Sequence, residues 1–179
     1  MILGLDISTS ITGVTVVDND GNVVFNEAWD LRNKKYFPTL FHKGREIKEL
    51  LRQIDDEFYI SSIFIEQSLQ SFRSGFSSAK TLSTLSRFNG IVSWLCYEIF
   101  EVQPEYIAAT SARKKCGITV PKGVKAKQVV IDYVLDNVPS VLIEYTKHGN
   151  PKPYCFDKAD SWVIAKAGYI CQMEKSAQS

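Results

Sequence analysis

The sequence predicts an α/β fold in which a mixed five-stranded sheet is flanked by helices. Three observations carry that expectation. The chain opens on two apolar runs joined by a polar turn and followed by a hairpin signal, the pattern of an antiparallel meander. Two further strand-like runs, residues 62–66 and 105–109, each follow a long stretch of helical period, as parallel strands joined by crossover helices do. In the first of these, Ile63, Phe64 and Ile65 are continuous, as expected of a strand covered on both faces.

The opening stretch is MILGLDISTSITGVTVVD. Ile2, Leu3 and Leu5 read as a buried strand, and Asp6 interrupts it where hydration is normally lost, so its carboxylate needs a partner. Ser8, Thr9, Ser10 and Thr12 form a hydroxyl-rich turn, and Thr12 to Val17 returns beside the first strand. The turn Asp18, Asn19, Asp20, Gly21 makes Asn22 to Ala28 a third strand. From about Pro38 to Phe58, Leu40, Ile47, Leu50, Leu51 and Ile54 keep a helical period, so this helix covers one sheet face. Ser62 to Glu66 ends, like the first strand, in a carboxylate. The Ser- and Gln-rich loop Gln67 to Ser78 nevertheless holds Leu69, Phe72, Arg73 and Phe76, whose aromatics either tuck onto the core or stack on a ligand. Ala79 to Phe100 reads as a long helix along Leu82, Leu85, Phe88, Val92, Leu95 and Ile99, with Gly90 expected to permit close approach. Its apolar face serves the core first and can also make a dimer.

Glu105 to Ala109 is a fifth strand, and Thr110 or Ser111 is expected to cap a short helix ending near Gly117. Lys125 to Leu135 is helical, whereas Val138 to Tyr154, with Pro139, Gly149, Pro151 and Pro153, is irregular. The last helix, from about Phe156 to Cys171, carries Asp157 and Asp160 three apart on one face of its first turn.

At 179 residues, 45% hydrophobic and 23% charged, the composition predicts one globular domain over 1–179. No secretory leader pattern and no membrane-length run is visible, so a cytosolic protein without membrane contact is expected. Cys96, Cys116, Cys155 and Cys171 lack CxxC spacing, the two histidines are far from pairing with them in sequence, and the four are read as reduced and mostly structural. The net charge of +1 conceals a local asymmetry: residues 110–131 hold six basic side chains, Arg113, Lys114, Lys115, Lys122, Lys125 and Lys127, and no acid. An ordinary solvated face usually mixes signs. Phosphate binding depends on the field at the contact surface, so this segment is the candidate nucleic-acid interface.

The element order makes the first and fourth strands neighbours, so that Asp6 and Glu66 face the start of the helix bearing Asp157 and Asp160. Taken singly, Asp6 is most simply a turn cap. Asp157 and Asp160 are then helix-dipole acids contributing roughly 0.3 to 1 kcal/mol each. Neither account explains all four together. Two carboxylates about 4 Å apart repel by roughly 4 kcal/mol at an effective dielectric near 20, so the cluster calls for a cation. All-oxygen donors point to Mg²⁺ or Mn²⁺ rather than Zn²⁺. Two such ions would activate a water and stabilise the leaving oxygen in phosphodiester cleavage.

In their order and spacing, LDISTSITGVTVVD, IEQ around Glu66, AKTLSTLSRFNG, SARKKCG, KAKQVV and DKADSWVIA resemble the RuvC-type Holliday junction resolvases of the ribonuclease H-like superfamily, over nearly the whole chain. The resemblance implies a ribonuclease H-like fold. It also implies a nuclease whose metal-binding catalytic acids are Asp6, Glu66, Asp157 and Asp160, with two Mg²⁺ or Mn²⁺ ions per site. Lys127 matches a lysine near the scissile phosphate, and Lys114 or Lys115 an upstream basic position. Phe72 matches an aromatic that stacks on junction bases. Arg73, Arg113, Lys122 and Lys125 complete the expected DNA contacts. A four-way junction with two symmetric strands implies a homodimer. The segment Tyr145 to Tyr154 is longer than in the bacterial enzymes, which fits a viral or organellar relative acting in a bacterial or phage-infected cytoplasm, or in an organelle. Flaps, other branched DNA and RNA hybrids are alternative substrates of the same site. A sugar kinase or actin-like protein would need a second such domain and phosphate hairpin. A silent DNA-binding module would have no need of four acids.

Overall fold

In the computed structural model, which describes residues 1–67 and 79–178, β1 (Ile2–Asp6), β2 (Ile11–Val17) and β3 (Val23–Asp30) form the antiparallel meander. β4 (Ser62–Glu66) and β5 (Glu105–Ile107) add parallel strands, giving the order β3-β2-β1-β4-β5. The expected neighbours β1 and β4 therefore lie side by side, with Leu5 opposite Ile65. The loop residues Leu69, Phe72 and Phe76 do not fall in the described range, and neither does Arg73.

Alternation along the strands divides the core into two layers. Leu3, Leu5, Val14, Val16, Ile63 and Ile65 point to the face covered by α1 (Leu40–Glu57) and α2 (Ala79–Phe100). Thr39 starts α1 by accepting from the His42 backbone N–H, and Gly44, Ile47, Leu51 and Ile54 form its buried stripe. Ile2, Val17 and Phe64 point to the other face, under α3 (Ala109–Lys115), α4 (Ala126–Asn137) and α5 (Tyr154–Ser176).

The helix α5 lies directly on the sheet because two strand positions carry no side chain. A Cβ at Gly4 would run into the Ala165 backbone, and one at Gly13 would run into the Asp157 carbonyl oxygen. A buried polar lock fixes the docking: Thr15 Oγ1 and Ser161 Oγ lie 2.8 Å apart, and Asn26 Nδ2 donates to Thr15 Oγ1 at 2.7 Å and to the Lys158 carbonyl at 3.1 Å. Each such bond contributes about 0.5 to 1.5 kcal/mol net, and more is lost if one partner is removed.

Several boundaries differ from the sequence expectation. β5 ends at Ile107, and α3 begins at Ala109 behind Ala108, not behind a Thr110 or Ser111 cap. The buried Ala112, whose N–H bonds the Ala108 carbonyl, sets that start through packing. α5 begins earlier, at Tyr154, because Pro153 is already in helical conformation, which puts Asp160 in the second turn and not the first. At its far end α5 runs past Cys171 to Ser176, with Lys115–Glu174 (2.6 Å) and Lys175–Glu105 (2.9 Å) ion pairs beside the last turns. A Cβ at Gly90 would meet open space, so Gly90 is not the point of close approach. The tight spot between α1 and α2 is Gly44, 3.0 Å from Ile91 Cγ2 when a Cβ is added. Cys96, Cys116, Cys155 and Cys171 are free thiols, Cys96 and Cys155 buried. Among the described residues no helix is long and apolar enough to cross a membrane.

Candidate active site

Asp6 follows Ile2 and Gly4 on the β1 face that carries α5, and Glu66 follows Phe64 on the same face of β4. The Leu5–Ile65 pairing makes the two acids neighbours one step further along the parallel strands. Across β1, Asp6 is opposite Gly13, the position that lets the Asp157 backbone approach the sheet. One turn on along α5, Asp160 comes to the same place. The missing side chain at Gly13 thus carries Asp157 and Asp160 to the strand ends where Asp6 and Glu66 already stand.

The four acids and Lys127 line a pocket of about 260 Å³, completed by Ile7, Ser8, Leu85 and Asn89. The turn beside it is closed by its own hydroxyl, Thr12 Oγ1 donating to the Ser8 carbonyl at 3.1 Å, so Asp6 is not occupied as the cap. Lys127 Nζ, carried by the first turn of α4, stands 3.4 Å from Asp160 Oδ2 and 3.7 Å from Asp157 Oδ1.

Burial and mutual repulsion dominate the electrostatics. Asp6 is raised far above the ordinary carboxylate range by burial, with Glu66 and Asp160 adding to it. Burial and Asp160 push Glu66 up to about 7, against the fields of Arg113 and Lys127. Burial also raises Asp157 and Asp160, with Lys127 opposing in both cases. For Lys127 itself burial works downward, but Asp160, Asp157 and Asp6 together raise its ammonium above the ordinary value.

Among the described residues no group of three or more His, Cys, Asp or Glu side chains is drawn together tightly enough to hold a metal ion. The cation at the pocket is the Lys127 ammonium, 3.4 Å from Asp160 and 3.7 Å from Asp157. The donor chemistry itself fits a hard cation: Asp6, Glu66, Asp157 and Asp160 offer only oxygen, and no Cys or His lines the pocket.

The other predicted contacts separate. Arg113 does not line the pocket, but it is close enough for its field to lower Glu66 and Asp160. Lys115 is paired with Glu174 at 2.6 Å, near the opposite end of α5, and is turned away from the acids. Lys114, Lys122 and Lys125 are exposed, the last two on the loop leading into α4. Phe72 and Arg73 lie outside the described residues. Two contributors were not anticipated. Asn89 is a buried polar residue between Phe88 and Val92 on α2, and that break in an apolar stripe was the available signal. Arg32, just past β3, is close enough to feel Asp157.

Solved structures with the same architecture include the RuvC of Thermus thermophilus in complex with a Holliday junction substrate, with a TM-score of 0.65 at 13% identity over 96% of this chain and 94% of that one. A second structure of Thermus thermophilus RuvC gives a TM-score of 0.62 at 16% identity, covering 97% and 96%. The yeast mitochondrial Holliday junction resolvase Ydc2 gives 0.62 at 14% identity, covering 98% of this chain and 80% of its own. The chain thus has the ribonuclease H-like fold of these resolvases. No protein-family profile matches it, and no curated protein matches it by sequence.

Proposed function

We propose that the protein, as one nuclease domain over 1–179, resolves four-way DNA junctions by divalent-metal-dependent phosphodiester hydrolysis in symmetric strands. The observation that carries this reading is the convergence of Asp6, Glu66, Asp157 and Asp160 with Lys127 in one pocket, on the fold of known resolvases. Raised carboxyls held together by a fold have no stabilising role, and groups strained in this way cluster at functional sites.

The four acids are the residues that would hold Mg²⁺ or Mn²⁺. Bound there, the metal supplies Lewis-acid polarisation of the phosphate and an activated water. The chain's own residues do the rest. Lys127 is placed to neutralise charge on the phosphoryl oxygens as it builds up, and Arg113 adds to that field from the β5 side. Lys114, Lys122 and Lys125 hold the backbone outside the pocket, where each phosphate contact adds affinity that salt screens. Phe72, with Arg73 beside it, is assigned to stacking on an unpaired base at the branch point. The exposed apolar groove between α1 and α2, lined by Phe41, Gly90, Ile91 and Trp94, is assigned to a homodimer that matches the two-fold junction.

Labelled four-way junction, flap, linear duplex and RNA–DNA hybrid are incubated with the protein in Mg²⁺ and in EDTA. Paired symmetric cuts in the junction alone, lost in EDTA, are expected. Equal cutting of flap or hybrid moves the reading to a broader nuclease using the same pocket. No cleavage of any substrate in Mg²⁺ or Mn²⁺ overturns it.

A further inference from the structure

We propose that residues 32–43, on the β3 side of the carboxylate pocket, form a second track for the nucleic-acid backbone, separate from the one at residues 110–131; this rests on the nuclease reading above. Residues 31–45 hold Arg32, Lys34, Lys35, Lys43 and Arg45 and no acid, which makes them a second one-signed segment. The fold brings it to the working end of the sheet. Asp30 is opposite Ile11, the Leu31 N–H donates to the Ser10 carbonyl at 2.8 Å, and the Lys43 ammonium donates to the Thr9 carbonyl on the hairpin that carries Asp6. β3 is two strands from β1, roughly 10 Å, which is about three nucleotides of a strand rising 3.4 Å each. The segment after β5 packs with α5 on one face of the sheet, whereas residues 31–43 leave the β3 edge for α1 on the other face, so the two basic segments are separate surfaces.

Folding gives no reason for the charges of Lys34 and Lys35. Arg32 is neutralised by Asp30 at 2.6 Å, but Lys34 and Lys35 are exposed and no carboxylate among the described residues pairs with them. Lys43 is in the first turn of α1, which carries no acid, and a cation is disfavoured there by the helix dipole. Lys34 and Lys43 repel each other as well. Repelling lysines held beside the hairpin that carries Asp6 are stabilised when a polyanion lies across them. Tyr36, exposed under the Lys35 ammonium, adds a ring beside the track.

The test compares Lys34→Gln/Lys35→Gln with Arg52→Glu, which makes the same change of two charges on α1. Arg52 is nine residues beyond Lys43, about 13 Å further along the helix. Binding of junction and of linear duplex is measured in EDTA from 50 to 200 mM salt, with melting temperatures to confirm folding. Each phosphate contact contributes about 0.9 to the salt slope, so the double variant should flatten it by about 1.8 units. The advantage of the wild type then shrinks about tenfold across that range. Both DNAs should respond alike, because phosphate contacts carry no sequence information. Arg52→Glu should leave the slope unchanged. If wild type binds and the two variants share one slope, the second track is refuted while the nuclease reading stands. If wild type binds no nucleic acid at any salt, both fall.

Discussion

Burial beside Glu66 and Asp160 drives the Asp6 carboxyl far above its ordinary range, and the same forces bring Glu66 to about 7. The sign of the resulting pH dependence follows from proton counting. Between the ordinary Glu value of 4.5 and about 7, the folded protein retains a proton on Glu66 that the unfolded chain has released. The native state therefore binds more protons, and stability falls as pH rises through that window. Without metal, the protein should lose stability between pH 5 and 7.5. Glu66→Gln should flatten that loss and be more stable at pH 7.5 by on the order of 1 to 3 kcal/mol. Urea unfolding of both proteins at the two pH values measures this, and identical pH slopes would show that Glu66 does not carry the strain. Activity should move the opposite way. Asp6→Asn, Glu66→Gln, Asp157→Asn and Asp160→Asn should each slow junction cleavage in Mg²⁺ by on the order of 10³-fold or more, with binding largely kept. Wild-type single-turnover rates in any two of them would remove the site assignment. Lys127→Ala should reduce cleavage more than binding, and Lys122→Ala the reverse. Saturating DNA that rescues both variants equally would make Lys127 a binding residue only.

α5 links the sheet to the chemistry, and its seat is Gly13. The carbonyl of Asp157 occupies the space a side chain at Gly13 would take, so Gly13→Ala must push the start of α5 off β2. Overpacking of this kind costs about 1 to 3 kcal/mol, and a shift of about 1 Å at a catalytic group can lower rate about 10²-fold. Gly13→Ala is expected to lower both the melting temperature and cleavage, whereas Gly90→Ala, facing open space, should leave both intact. A Gly13→Ala protein with wild-type cleavage would show that α5 does not need this seat. The same helix marks how far the sequence could be read. Strand order, both crossovers and the parity that puts Asp6 and Glu66 on one face follow from alternation and helical period, which are local. The position of Asp157 depends on a glycine 144 residues earlier in the chain, and no local period encodes that contact. Gly90 was misread for the same reason, since a glycine on an apolar helix face signals closeness only if a partner is opposite. The basic run was legible as a charge asymmetry. That the field of Arg113 reaches the acids while Lys115 pairs with Glu174 is set by how α3 packs against α5.

For the molecule as a whole, both cation binding and self-association can be tested. Mg²⁺ or Mn²⁺ binding only the folded acids should raise the melting temperature, by about 2.7 kcal/mol of stability at 100 times the dissociation constant. Indifference to both metals would mean the acids do not assemble a site. The surface partner concerns α1 and α2, where Phe41 is 81% and Trp94 63% exposed, with Tyr97 5.9 Å from Trp94 between ring centroids. Neighbouring aromatics are seldom left in water together unless a second surface covers them. A second copy placed by a two-fold axis buries the same groove on both chains and sets two carboxylate pockets in the symmetric relation that a four-way junction presents. Light scattering should therefore find a dimer at micromolar concentration. Trp94→Glu should give a monomer with an unchanged melting temperature, because truncating an exposed ring leaves no cavity. The decisive readout is the product formed from a cruciform plasmid. A dimer cuts both strands within one encounter and yields linear DNA, whereas the Trp94→Glu monomer cuts once, relieves the supercoiling that extrudes the cruciform, and leaves nicked circles. A wild-type monomer giving linear product would sever dimer formation from resolution, and the groove would then need a different occupant.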